Sequence, residues 1–313
     1  MNTTSKLVHI SSFFKVIIFL LCFSLYNYFG SISVDLNNYK EVYEKEWYQF
    51  EPIFNLIMFI FYQAHASFFV FWLFLGVIIS LLMANIYSER TIFFLALPNI
   101  IYLLSNSFSV QLRFAVASLF LVYFFKNRRS FFSKLFIFFT PLLHTSIALP
   151  LLMILFLDKG VDDNKSVFTF KNLIFFTSVI IGSFVFLLLL NNVLTYFHYD
   201  HYIDSKFLVD KSMSSILYMI SMSLVLLLVN YKDENKTVVK YRDFAYLGLA
   251  ILLVSIVSQE LSVISGRLFN LYFVIEPFIM CYIFYKVERN TIGWFFIFIV
   301  TLIYLSKFIP MVI

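Results

Sequence analysis

Residues 106–146 read NSFSVQLRFAVASLFLVYFFKNRRSFFSKLFIFFTPLLHTS. Arg113 stands at the head of an apolar run, 110–125, whose far end carries Lys126, Arg128, Arg129 and, further on, Lys134. His144 lies within the next apolar run, 135–157, between Pro141 and Pro150. An arginine and a histidine in lipid-compatible sequence are costly, so each needs a partner, a cavity or a function. A structural ion pair or a snorkelling side chain is the plain alternative for Arg113.

The rest of the chain is lipid-compatible in the same way. Of 313 residues, 61% are hydrophobic and 13% charged, and the 43 Phe and 20 Tyr exceed what a soluble domain of this length could hide. Several runs approach the ~20 apolar residues that cross a bilayer as a helix. They lack the alternation of a barrel strand, and lipid leaves only helices or closed barrels. The expected fold is therefore all-α, a polytopic integral membrane protein forming a single membrane domain over 1–313. The net charge of +5 sits in short clusters between apolar runs, which orients helices and does not point to nucleic acid. Cys22 and Cys281 both lie in apolar runs and suggest neither a disulfide framework nor a metal site. The run at 13–29 has Lys6 before it and Lys15 at its head, with no small-residue cleavage site behind it, so it is read as a retained first helix that starts inside.

Further spans are expected at 67–87, 91–104, 110–125, 173–190, 214–229, 244–261, 268–285 and 292–309. The basic clusters at 126–134, 231–243 and 286–290 all lie inside only if 52–62 and 135–157 fail to cross. The prolines at 141 and 150 fit a segment that enters and returns as two half-helices. About nine full spans and two short or re-entrant segments follow. The polar stretches 31–51 and 191–213 then face outward, with Asp35, Tyr39, Glu51, Arg113, His198, Asp200, His201, Asp204, Glu260 and Arg267. Any chemistry is expected on that side.

Asp35, Tyr39, Tyr43 and Trp47 recur every four residues, the spacing of one helix face, here an amphipathic helix lying at the interface. HYDHY at 198–202 has a metal-like composition, but a site needs a rigid set of three or four ligands, so no metal is expected. A solvated loop is the plain reading. Contact with sugar is the functional one, since aromatic rings stack on sugar faces and carboxylates accept from hydroxyls. Arg113 and Arg267 are the leading candidates for chemistry, because a guanidinium stays charged when desolvated and fits phosphate oxygens in pairs. Arg267 could instead pair with Glu260. Glu276, before Pro277, is an acid inside a span.

The order Asp35, Tyr39, Tyr43, Glu51-Pro52, then Arg113 opening RFAVASLFL, then His144-Thr145-Ser146-Ile147-Ala148, resembles the EpsG/Wzy-type polymerases of bacterial surface polysaccharides. The likeness covers roughly residues 10–150 closely and the remainder in layout, with Arg267 ahead of a Tyr-containing span. Ile53 stands where the family often has Gly, and Gln111 precedes the arginine instead of following it. The resemblance implies a multi-pass glycosyltransferase of the bacterial inner membrane, with no cofactor. It would move a growing glycan from undecaprenyl diphosphate onto a sugar hydroxyl of an incoming lipid-linked repeat unit. Its partners would be that oligosaccharide, the bilayer, a chain-length regulator and other assembly proteins. Arg113 and Arg267 would stabilise the leaving diphosphate. Asp35, Glu51 and His144 are all candidates for the base, and Tyr39, Tyr43, His198, Asp200 and His201 for contacts to glycan. A flippase would use the same arginines without chemistry, and a membrane acyltransferase would use His144.

Overall fold

The computed structural model describes residues 13–24, 34–160, 213–229, 236–259, 262–287 and 291–306, with positions 174, 176–178, 181–182 and 184–185. Every regular element among them is a helix, with no strand among the described residues. The chain divides into two compact units, Met1–Leu151 and Leu152–Ile313.

The first unit contains α1 (Phe13–Ser24), α2 (Val34–Glu44), α3 (Pro52–Gln63), α4 (Phe68–Ile86), α5 (Arg90–Leu103) and α6 (Leu112–Lys126). Pro52 opens α3 at the first helical positions, where its missing N–H costs nothing. Ser67 starts α4 by accepting a hydrogen bond from the Val70 N–H. Pro98 lies inside α5, and a π-helical turn, Leu104–Phe108, follows and delivers the chain to α6. That last helix is buried nearly all round, through Leu112, Phe114, Leu119, Val122 and the small residues Ala115, Ala117 and Ser118. Small residues let neighbouring helices approach closely, and α6 is the centre of this unit, packed most heavily on α4. Gly76 of α4 serves the same end. A Cβ there would stand 2.6 Å from the Phe23 ring of α1, which stacks on Trp72 at 4.7 Å.

The C-terminal carbonyls of α4 are held by two ammonium groups. Lys15 of α1 donates to the Tyr87 and Ser88 carbonyls at 3.2 and 3.0 Å. Lys126, at the end of α6, donates to Asn85 O and Ile86 O at 3.0 and 2.7 Å. Cations belong at helix C-termini, where unpaired carbonyls carry the negative end of the dipole. Two residues read as topological signals thus also cap a helix.

After α6 the chain breaks up, as the prolines suggested. Helix α7 (Phe131–Phe136) tightens into a 3-10 stretch, Ile137–Leu142. His144 is extended at φ −159° and ψ 119°, a short 3-10 turn spans Thr145–Ile147, and α8 (Ala148–Gly160) follows. Pro150 lies in the first turn of α8, where it is tolerated. One expected helix face differs. Helix α2 ends at Glu44, and Trp47 lies beyond it in a turn closed by its N–H on Val42 O. Tyr39 and Tyr43 are buried against the rest of the unit. Tyr43 stacks on Phe71 at 5.3 Å, donates its hydroxyl to Ala66 O at 2.7 Å, and is pushed up in pKa by burial and by nearby Tyr48.

The second unit contains α9 (Met213–Val229), α10 (Lys236–Val257), α11 (Ser262–Val287) and α12 (Thr291–Ser306). Its core is the antiparallel pair α10 and α11. Phe244 stacks on Phe278 at 4.3 Å, and the buried hydroxyl of Ser265 donates to Ser255 O at 2.6 Å. A Cβ on Gly248 would come within 2.3 Å of Ile279.

Two described helices, Phe68–Ile86 and Val263–Val287, are long and apolar enough to cross a membrane, and seven shorter apolar helices accompany them. Large apolar side chains stand on the outside of both units. Phe131 is 74% exposed, Leu228 71% and Phe295 67%, while the polar Ser133 and Thr140 are buried. Water penalises that arrangement and lipid does not.

Candidate functional site

Three separate pieces of the first unit meet at Glu51. The turn before α3 brings Phe50 and Glu51, the head of α6 brings Arg113, and the break after α7 brings His144 and Thr145. Glu51 Oε2 pairs with Arg113 Nη1, the two side chains being 10% and 19% exposed. Glu51 Oε1 accepts from the Thr145 N–H at 3.1 Å and from its hydroxyl at 3.3 Å, and lies 3.3 Å from His144 Nδ1. One carboxylate thus binds a guanidinium on one oxygen and faces an imidazole with the other.

Arg113 is fixed on further sides. Its Nε donates to the Tyr39 hydroxyl at 3.0 Å, and its guanidinium lies over the Phe50 ring at 4.0 Å and the Tyr39 ring at 5.5 Å. Cation–π contact of this kind holds the plane of the group. Tyr39 is in turn packed on Phe50 and Phe54 at 5.2 and 5.8 Å. At the same helix head, Ser109 is fully buried, and its Oγ and the Oε1 of Gln111 have no hydrogen-bond partner among the described residues.

His144 sits between opposite demands. The Ser146 N–H donates to its Nδ1 at 3.3 Å, which suits an unprotonated Nδ1. Glu51 Oε1 at the same distance suits a protonated one. The ring can satisfy either neighbour by changing where it carries its proton, and Phe114 fixes its plane edge-on at 5.9 Å. An imidazole held by a carboxylate can accept a proton, and a guanidinium beside it can stabilise a departing anion.

Of the sequence candidates, Arg113, Glu51, His144 and Tyr39 come together. Tyr43 is committed to α4 instead. Asp35 lies in the first turn of α2. Arg267 is a half-buried residue of α11, in the other unit. Glu276 is fully buried on the same helix, beside Pro277. His198, Asp200, His201 and Glu260 lie outside the described residues, and no metal-binding group of His, Cys, Asp and Glu occurs among the described ones. Sequence reasoning missed Phe50 and Thr145 as parts of the site. Their adjacency to Glu51 and His144 was the signal available.

A family model, that of the EpsG family, matches residues 12–312, nearly the whole chain. The chain belongs to the EpsG family. Membership places it among membrane-associated proteins of polysaccharide biosynthesis, in a family associated with glycosyltransferase-like polymerases. No curated protein and no solved structure matches it. The site of this EpsG-family chain therefore rests on its own geometry.

Proposed function

We propose that the protein is a polysaccharide polymerase of the bacterial inner membrane, multi-pass, acting on lipid-linked repeat units at the outer face. The observation that carries this reading is the Glu51 carboxylate joining Arg113 to His144 and Thr145. In the reaction, a hydroxyl of the incoming unit attacks the anomeric carbon of the growing glycan. The carbon–oxygen bond to undecaprenyl diphosphate breaks, and its electron pair leaves with the diphosphate. The guanidinium edge of Arg113 meets that developing charge. The hydroxyl proton passes to His144, whose cationic form Glu51 stabilises across Nδ1. Both Glu51 oxygens already accept from protein donors, which favours a holding role for it over a basic one. Tyr39 and Phe50 keep the guanidinium in place. Arg267 remains a second candidate for the diphosphate, and the 191–213 stretch a candidate for glycan contact. A chain-length regulator and other assembly proteins are proposed partners.

Loss of the gene, read as a gel of surface polysaccharide, tests this. A polymerase defect leaves single repeat units in place of a ladder. Absence of any surface glycan would point to a flippase, and full-length glycan lacking acyl groups to an acyltransferase.

A further inference from the structure

We propose that Asn55 is the positioning residue of this site, an inference that rests on the polymerase reading above. Asn55 lies one turn into α3, and its side chain reaches back over the helix start. Its Oδ1 accepts from the Phe50 N–H at 3.1 Å, and its Nδ2 donates to the Phe50 carbonyl at 2.6 Å and the Tyr48 carbonyl at 3.1 Å. One amide therefore takes up both main-chain groups of Phe50, the residue whose ring lies under Arg113 and whose neighbour is Glu51. Nothing else at this helix start does that work. Glu51 occupies the N-cap position without capping through its side chain, and Pro52 has no N–H to give. The turn above it is irregular, with Glu46 in the left-handed region at φ 54° and the Gln49 N–H bonded to Trp47 O.

The consequence is geometric. Arg113 is located by Glu51 below and by Phe50 and Tyr39 at its faces, and two of those three partners hang on the backbone that Asn55 fixes. A side chain with both a donor and an acceptor at the right spacing is required, which Asn supplies and neither Ala nor Asp does. A residue that only stabilised the fold would lower protein level while leaving the surviving molecules at full rate. A positioning residue lowers the rate of correctly folded molecules, since displacement by about 1 Å at a reacting centre costs about 10²-fold.

The test uses the full chain, purified in lipid nanodiscs, with a polyprenyl-diphosphate-linked repeat-unit oligosaccharide as donor and acceptor. Asn55→Ala, Asn55→Asp, Arg113→Ala and Asn55→Ala/Arg113→Ala are compared, each with membrane level and thermal stability. The expected result is a kcat lower by about 10–10²-fold for both Asn55 variants, with KM changed less than about twofold and protein retained. The double variant should be slower than Arg113→Ala by much less than the factor Asn55→Ala costs alone, because most of the Asn55 effect passes through the group already removed. A wild-type rate for Asn55→Ala beside an inactive Arg113→Ala overturns the proposal and leaves the polymerase reading standing. So do a purely KM effect, losses that multiply in the double variant, and disappearance of both Asn55 variants from the membrane. A wild-type rate for Arg113→Ala itself overturns the reading of the site, and this proposal with it.

Discussion

Removing Arg113 separates its proposed catalytic role from architecture, because the side chain also holds three of its neighbours. Its Nη1 neutralises Glu51, its Nε serves the Tyr39 hydroxyl, and its plane covers Phe50. Breaking a fully buried ion pair by deleting one partner costs roughly 3–5 kcal/mol. This pair retains 19% and 10% exposure, and Glu51 would keep both Thr145 donors on its other oxygen, so the loss falls lower, about 1–3 kcal/mol. That reduces the amount of folded protein without abolishing it. If the guanidinium also meets the leaving diphosphate, the rate per folded molecule falls by roughly 10²–10³. Arg113→Lys keeps a charge for Glu51 but loses the fork and the planar stack, so it should be well tolerated in folding and still impaired in rate. The decisive variant is Arg113→Ala/Glu51→Gln, which removes the stranded carboxylate. It should regain protein level and remain without a polysaccharide ladder. A ladder of normal length from that double variant, or from Arg113→Ala at ordinary expression, would refute the catalytic assignment and leave Arg113 a structural ion-pair partner.

Other outcomes follow from the same structure. In a background lacking Cys22 and Cys281, Asn127→Cys should resist an impermeant thiol reagent added outside and Asp200→Cys should react; labelling at 127 from outside would mean that 52–62 and 135–157 both cross. Thr145→Val removes one donor to Glu51 but keeps the backbone N–H, so a rate lower by about tenfold is expected, in line with one charge-assisted hydrogen bond; an unchanged rate would show that the hydroxyl is dispensable. Lys15→Met with Lys126→Met should lower thermal stability in detergent by the equivalent of about 1–3 kcal/mol, as the α4 carbonyls lose their donors. His198→Ala with His201→Ala should shift glycan chain length while chelators leave activity intact; activity lost to a chelator and restored by a divalent ion would indicate a metal after all.

Helix positions were legible in the sequence because apolar helices announce themselves by run length, and 67–87, 91–104, 110–125 and 214–229 reappear within a few residues as α4, α5, α6 and α9. The break near His144 was legible too, from Pro141 and Pro150. Arg113 was conspicuous as a charge in apolar sequence. Its partner was not, because Glu51 is 62 residues away and linear spacing says nothing about which helix ends converge. The same limit hid Asn55, whose three hydrogen bonds run back around a turn that has no periodic pattern. Trp47 misled for the opposite reason. Its spacing from Tyr43 satisfied a helix period, but the chain had already left the helix after Glu44.

The lysine pair on α4 also bears on how the protein is made. A chain emerging from the ribosome completes α4 about 40 residues before Lys126 exists. Until then Lys15, already synthesised, is the one of the two ammonium groups present to serve the Tyr87 and Ser88 carbonyls. On this order of synthesis the first helix can serve the end of the fourth before α6 is complete. A nascent chain stalled before Lys126 would carry the Asn85 and Ile86 carbonyls without their ammonium donor, and the brace on this end of α4 would be half made.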